Sequence, residues 1–178
     1  AMAYTFLKAK GVDIGNSLVE ENLLSEALDI LDMAKHENVN ICLPCDHVVA
    51  ASFSDAEGAR VLDSIEIVDA MVGFDIGPKT VNLYKKQCLD AALILWNGPM
   101  GVFENKAFEE GTKDLSLSIA KSKAFSLAGG GETLSAINKY IKPDDVSYCS
   151  TGGGAFLEFM EGKVLPSIEV LNSKEIGS

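Results

Sequence analysis

Apolar residues recur three and four apart through Val19–His36, at Leu23, Leu24, Ala27, Leu28, Leu31 and Ala34. That spacing predicts an amphipathic helix. Ala1–Lys10 reads as a second helix, ended by Gly11 and with no visible start: nothing before Ala1 can cap it. Short apolar stretches between the helical segments predict strands. They are Val39–Leu43, stopped by Pro44, then Val48–Ala51, the alternating Ser64–Val68, Ala91–Trp96, Ala124–Ala128 and Val146–Ser150. Ala91–Trp96 is apolar throughout, as expected of a strand buried on both faces, and Ala124–Ala128 is a second buried strand. Further helices are predicted at Val81–Cys88, Phe108–Lys121, Glu132–Lys139, Ala155–Glu161 and, as a short tail, Lys163–Leu171. Strands alternating with helices imply an α/β fold with a mostly parallel sheet. No linker or low-complexity segment divides the chain, so residues 1–178 read as one domain that begins inside a larger fold.

Three successive units share one arrangement: an apolar strand, a glycine-rich turn, then a helix. They are ALILW-NGPMG, FSLA-GGGET and VSYCS-TGGGA. Ten of the sixteen glycines fall between Gly98 and Gly162, where these turns lie. A residue without Cβ lets backbone N–H groups approach a ligand and permits positive φ. A helix starting directly after such a turn aims its N–H groups and positive dipole end at that ligand. In a parallel sheet all three turns gather at the carboxyl edge, where α/β proteins bind ligands. A phosphate chain fits three convergent turns better than a single carboxylate does. The competing reading is that glycine only makes tight turns. Neither the P-loop pattern nor G-x-G-x-x-G is present.

Composition narrows the ligand. The 26 acidic and 15 basic residues give a formal net charge of −11, which disfavours nucleic acid as a partner. AGGGETL and STGGGAFLE contain no Lys or Arg, although phosphoryl transfer needs cationic charge near the phosphates. A metal at Glu132 could supply part of it, and residues outside this chain the rest. No apolar run reaches the roughly 20 residues of a membrane helix. Ala1–Lys10 lacks the basic leader and apolar core of a secretory signal. Four cysteines do not make a disulfide framework in a chain of this size, and a cytoplasmic setting is expected.

NGPMGVFE (Asn97–Glu104), GGGETL (Gly129–Leu134) and STGGGAFLEFMEGKVLP (Ser150–Pro166) resemble the phosphoglycerate kinase family. So do AMAYTFLKAKG, LPCDHVVA and GFDIGP (Gly73–Pro78). Their order is that of the family's C-terminal, nucleotide-binding domain, and the resemblance runs from Ala1 to about Leu171. It implies a Rossmann-like three-layer domain, truncated at its N-terminal end, from an enzyme of two such domains that closes about a hinge and is a monomer at full length. The activity implied is reversible phosphoryl transfer between 1,3-bisphosphoglycerate and ADP, giving 3-phosphoglycerate and ATP in glycolysis and gluconeogenesis. The cofactor implied is Mg²⁺ with ADP or ATP.

Residue by residue, the resemblance puts Gly73 in the adenine pocket and Asn97, Gly98, Pro99 and Met100 in the loop against the nucleotide. Glu104 would bind the ribose hydroxyls, and Gly130, Gly131 and Thr133 the phosphates. Gly152, Gly153 and Gly154 resemble the helix start that meets the transferring phosphoryl group. Glu132 stands where the family usually has the Asp that ligates magnesium. The extra methylene lengthens its reach by about 1.5 Å, so water can come between carboxylate and metal. Capping of the following helix is the alternative role. The family's two catalytic lysines and its phosphoglycerate pocket belong to sequence ahead of Ala1, so this chain alone is expected to bind nucleotide without turning over. Competing readings are a non-catalytic adenine-nucleotide module on the same scaffold and a protein-interaction scaffold without nucleotide affinity.

Other features carry less. Cys42 and Cys45 form C-x-x-C near His47, but Cys88 and Cys149 are remote, so neither a zinc site nor a redox pair is expected. His36 belongs at a helix C-terminus. Two histidines and no G-x-S-x-G give no support to a hydrolase triad. Trp96, Phe156 and Phe159 read as packing residues.

Overall fold

The computed structural model describes residues 2–150, 152, 154–166 and 168–170. In chain order the elements are helix α1 (Met2–Ala9), α2 (Leu24–His36), strands β1 (His47–Ala50), β2 (Arg60–Leu62) and β3 (Val72–Ile76), α3 (Pro78–Asp90), β4 (Leu93–Asn97), α4 (Glu110–Lys121), β5 (Phe125–Gly129), α5 (Gly131–Tyr140), β6 (Tyr148–Ser150) and α6 (Gly154–Met160). Single 3-10 turns precede α2, α4 and β6. The chain divides into two compact units, residues 1–87 with 100–115 and residues 88–99 with 116–178.

The first unit is built on an antiparallel sheet of order β2-β1-β3. α1 buries Tyr4, Thr5 and Leu7. Gly11, at φ +80°, closes that helix: its N–H donates to the Lys8 carbonyl and that of Val12 to the Leu7 carbonyl. This pairing of donors at a left-handed residue is the common glycine helix stop. Tyr4, Leu7, Ile14, Val49 and Ile67 form the apolar cluster of the unit. His47 is buried beside it. Its Nε2–H donates to the Ile65 carbonyl at 3.1 Å and its Nδ1 accepts from the Tyr4 hydroxyl at 3.5 Å. Burial holds its pKa below the ordinary value. Asp46 caps α3, accepting from the Lys79 and Thr80 N–H groups at 2.8 Å each and from the Thr80 hydroxyl at 2.6 Å. Pro78 opens that helix at the one position where its missing N–H costs nothing.

Two expected strands of this unit are not strands. Val39–Leu43 has no ladder among the described residues. The Val39 N–H still bonds back to Ala34 at the end of α2, and the Cys42 carbonyl accepts from the Tyr84 hydroxyl at 2.6 Å. Among the described residues Ser64–Val68 makes one bridge, Ile67 to Ile14. The Ser64 hydroxyl takes the Glu66 N–H at 3.0 Å, a local bond that bends the segment out of an extended course. The strands β2 and β3 were not predicted; they are short, and β3 carries a glycine and an aspartate.

The second unit holds a parallel sheet of order β4-β5-β6, with Asn97 opposite Gly129 and Gly129 opposite Ser150. This is the parallel α/β grammar read from the sequence. One face buries Trp96, Ser126 and Ala128, and α5 packs on β5. The other face is open: Leu93 is 62% exposed, Phe125 55% and Tyr148 57%. β4 is therefore not buried on both faces, as its apolar run led one to expect, and β5 begins exposed. Of the expected tail helix, residues 163–165 are not helical and residues 166 and 168–170 are, while Leu171 lies outside the described residues. Trp96 is buried, but Phe159 is exposed and does not pack, and the Phe156 side chain lies outside the described residues. No helix among the described residues is long and apolar enough to cross a membrane.

Candidate functional site: glycine turns at one sheet edge

Because β4, β5 and β6 run parallel, the turns that follow them leave from the same edge of the second unit. Asn97, Gly129 and Ser150 stand in one row there. Gly98, next along from Asn97, sits at φ +98° and Gly130 at φ +95°, a region L side chains rarely enter. The two turns are tied together: the Gly98 N–H donates to the Thr133 hydroxyl oxygen at 2.8 Å. The Gly98 carbonyl accepts from the Trp96 indole N–H at 2.9 Å, so a buried side chain fixes the other side of the glycine.

α5 starts straight after Gly130 with no side-chain cap, leaving N–H groups of its first turn for a ligand. A Cβ on Gly131 would meet nothing within 4 Å, and the same holds at Gly154. At Gly130 a Cβ would lie 3.5 Å from the Asn97 Oδ1 and 3.6 Å from the Thr133 Oγ1. Thr133 is buried, while Glu132 is exposed in the same first turn. After β6 the Gly152 N–H donates to the Ser150 hydroxyl at 3.3 Å. Gly153 lies outside the described residues. Thus Asn97, Gly98, Pro99, Gly130, Gly131, Glu132, Thr133, Gly152 and Gly154 all belong to the second unit.

Gly73, Met100 and Glu104 belong to the first unit. The Gly73 N–H donates to the Ser17 hydroxyl at 2.9 Å, and a Cβ there would collide with the Tyr4 hydroxyl, so packing alone already demands glycine. The Met100 and Gly101 N–H groups both donate to the Thr112 hydroxyl, at 3.1 and 3.2 Å. The Val102 N–H donates to the Phe74 carbonyl at 2.9 Å, which sets the turn carrying exposed Glu104 beside β3 and Gly73. Phe74 stacks on buried Phe108 with centroids 4.7 Å apart.

Sequence reasoning missed Asp75. It is 2% exposed and accepts from its neighbour Ile76 N–H and from the Gly111 N–H, both at 2.8 Å. Burial raises its pKa to about 7 in spite of those bonds. The available signal was an acid inside an apolar strand, flanked in GFDIGP by glycines.

Among the described residues no three His, Cys, Asp or Glu side chains come together to hold a metal ion. Glu132 offers a single carboxylate, a donor set that fits magnesium only where ligand oxygens and water complete the octahedron. The cysteines are free thiols. Cys42 Sγ accepts from the Asn40 and Gln87 amides, at 3.1 and 2.9 Å.

A parallel sheet with glycine turns leaving its carboxyl edge, two of them tied by a hydrogen bond, defines an α/β protein. The family model described as phosphoglycerate kinase matches residues 1–163. The phosphoglycerate kinase of Leptospira biflexa is 45% identical over 174 residues, which cover 98% of this chain and 44% of the relative. That of Francisella philomiragia is 53% identical over 173 residues, 97% of this chain and 44% of the relative. The solved structure of phosphoglycerate kinase from Coxiella burnetii matches with a TM-score of 0.91 at 45% identity, over 96% of this chain and 44% of that one. The Pyrococcus horikoshii enzyme gives a TM-score of 0.76 at 31% identity, over 96% and 43%. The chain belongs to the phosphoglycerate kinase family, and it spans less than half the length of these relatives.

Proposed function

We propose that this chain supplies the magnesium–nucleotide half of a phosphoglycerate kinase, which moves a phosphoryl group reversibly between 1,3-bisphosphoglycerate and ADP. The observation that carries the proposal is the shared edge of β4, β5 and β6, where the glycine turns gather and the uncapped start of α5 presents backbone N–H donors. On this reading Asn97, Gly98 and Pro99 lie against the nucleotide, and Gly130, Gly131 and Thr133 contact its phosphates. Gly152, Gly153 and Gly154 meet the transferring group. Met100 belongs to the same loop as Asn97, Gly98 and Pro99, Gly73 to the adenine pocket, and Glu104 accepts from the ribose hydroxyls, a role suited to an acceptor-only carboxylate.

Catalysis here is positioning and charge stabilisation. Amides in the turns orient the phosphates without adding charge. The Thr133 hydroxyl is buried and accepts from Gly98, so it serves the phosphates by holding the β4 turn in place. Glu132 would hold magnesium, which when bound neutralises phosphate charge. The phosphoglycerate and the cations that complete the site are the part of the remaining sequence of such an enzyme. The same reading gives a place in glycolysis and gluconeogenesis, in the cytoplasm.

Calorimetric titration of the chain with ADP, with and without Mg²⁺, tests the proposal beside the variant Glu132→Ala. Saturable binding that magnesium strengthens in the parent, and not in the variant, is the expected result. Binding indifferent to metal and to Glu132 removes that residue from the proposed set and favours a non-catalytic module. Absence of binding overturns the reading that these residues hold the nucleotide by themselves. In a coupled assay the chain alone is expected to show no turnover.

A further inference from the structure

We infer that Asp75 is a positioning residue for nucleotide binding: its buried carboxylate holds the Met100–Glu104 turn, and with it Glu104, in the binding conformation. The inference rests on the nucleotide reading above and adds to it a residue that never touches the ligand.

Two glycines show how closely the carboxylate is enclosed. A Cβ on Gly101 would collide with Asp75 Oδ1, and so would a Cβ on Gly111. Both approaches are far inside van der Waals contact, so the turn before Glu104 and the start of α4 both close on this one side chain. Each oxygen has its own donor: Oδ1 takes the Ile76 N–H and Oδ2 the Gly111 N–H. The first bond fixes the carboxylate to β3. The second fixes α4, whose Thr112 hydroxyl accepts from Met100 and Gly101. The turn is thereby held from two sides, by Thr112 and by the bond of Val102 to Phe74, the residue before Asp75. The charged and titratable groups that act on Asp75 are Glu110 on α4 and Tyr4 on α1. It also lines a groove of about 600 Å³ together with Arg60, Glu110 and Asp114.

The test uses Asp75→Asn, which keeps the shape but sets an NH₂ group against one of the two N–H donors. Gly101→Ala disturbs the same contact from the turn. Ile14→Val serves as the control, loosening the apolar cluster of the same unit without touching the turn. Amide hydrogen exchange is followed in the nucleotide-free chain, and ADP is titrated by calorimetry under conditions where every variant is folded. We expect faster exchange confined to residues 76, 100–104 and 111 in Asp75→Asn and to 100–104 and 111 in Gly101→Ala, with a dissociation constant for ADP raised about tenfold. Ile14→Val should bind as the parent does. Parent-like exchange and affinity in Asp75→Asn overturn the inference, and so does exchange that quickens throughout the unit as in Ile14→Val. Exchange needs no ligand, so it judges the hold of Asp75 on the turn even where the parent fails to bind ADP, a result that instead overturns the nucleotide reading.

Discussion

The Gly98 N–H meets the Thr133 hydroxyl oxygen at 2.8 Å, so the turn leaving β4 hangs from the first turn of α5. Thr133 is fully buried and Gly98 half-buried, so the bond is partly shielded from water. Thr133→Val keeps the volume and strands the Gly98 N–H. A loss of roughly 1–3 kcal/mol is expected, read as a lower urea midpoint at unchanged m-value. Affinity for ADP should fall as well, because this bond holds the β4 turn assigned to the nucleotide.

Gly130 and Gly131 are neighbours with opposite tolerances. Gly130 stands at φ +95°, where any Cβ is strained, so Gly130→Ala should lose about 1–2 kcal/mol in urea denaturation. Gly131 is helical, and a methyl placed on its Cα would find nothing within 4 Å. Gly131→Ala should therefore match or exceed the parent in stability, since alanine is the better helix former. The methyl still occupies the space before the α5 N-terminus, and weaker ADP binding at undiminished stability is the expected signature.

Asp75 gives the chain a signed dependence on pH. Its folded pKa of about 7 lies above the ordinary carboxyl value of 3.8. Between those values the folded state binds the extra proton, so this group's contribution is full below the lower value and is lost as pH rises through 7. The loss is bounded at about 4 kcal/mol. Urea titrations at pH 5 and pH 8 check the sign: the parent should lose stability relative to Asp75→Asn on going to pH 8.

Asp46 satisfies two N–H groups at the start of α3 and receives the Thr80 hydroxyl. Asp46→Ala leaves all three donors without that acceptor, and a loss of about 2 kcal/mol is expected. Asp46→Asn, which keeps one carbonyl oxygen, should lie between parent and Ala in the same urea series. Gly77→Ala should be worse than its neighbours' substitutions, because its Cβ would run into the Asp46 carboxylate.

The second unit was legible because each of its strands is a local apolar run punctuated by its own glycine turn. ALILW, FSLA and VSYCS need no distant partner to be recognised, and parallel pairing follows from the helices between them. The antiparallel sheet was not legible. β1 finds Val61 and Asp75 from Val48, across long loops, and β3 spends two of its five positions on Gly73 and Asp75. Ser64–Val68 shows the reverse error: alternation of Ile65 and Ile67 promised a strand, and a Ser64 hydroxyl bond undid it. Among the site residues, the turn glycines announced themselves by clustering. Asp75 could not, since an acid in a strand ordinarily points to solvent, and its burial depends on Gly101 and Gly111 far along the chain.

The uncovered sheet face has a consequence for the chain as a colloid. Leu93, Phe125 and Tyr148 would adhere to any similar surface, and at neutral pH only long-range repulsion between molecules of formal charge −11 stands in the way. That repulsion vanishes near the isoelectric point of about 4.6 and is shortened by salt. Light scattering should therefore rise steeply as solutions are acidified towards pH 5 or brought to high ionic strength. Placing one charge on the face, as in Leu93→Glu, should widen the range of conditions in which the chain stays dispersed.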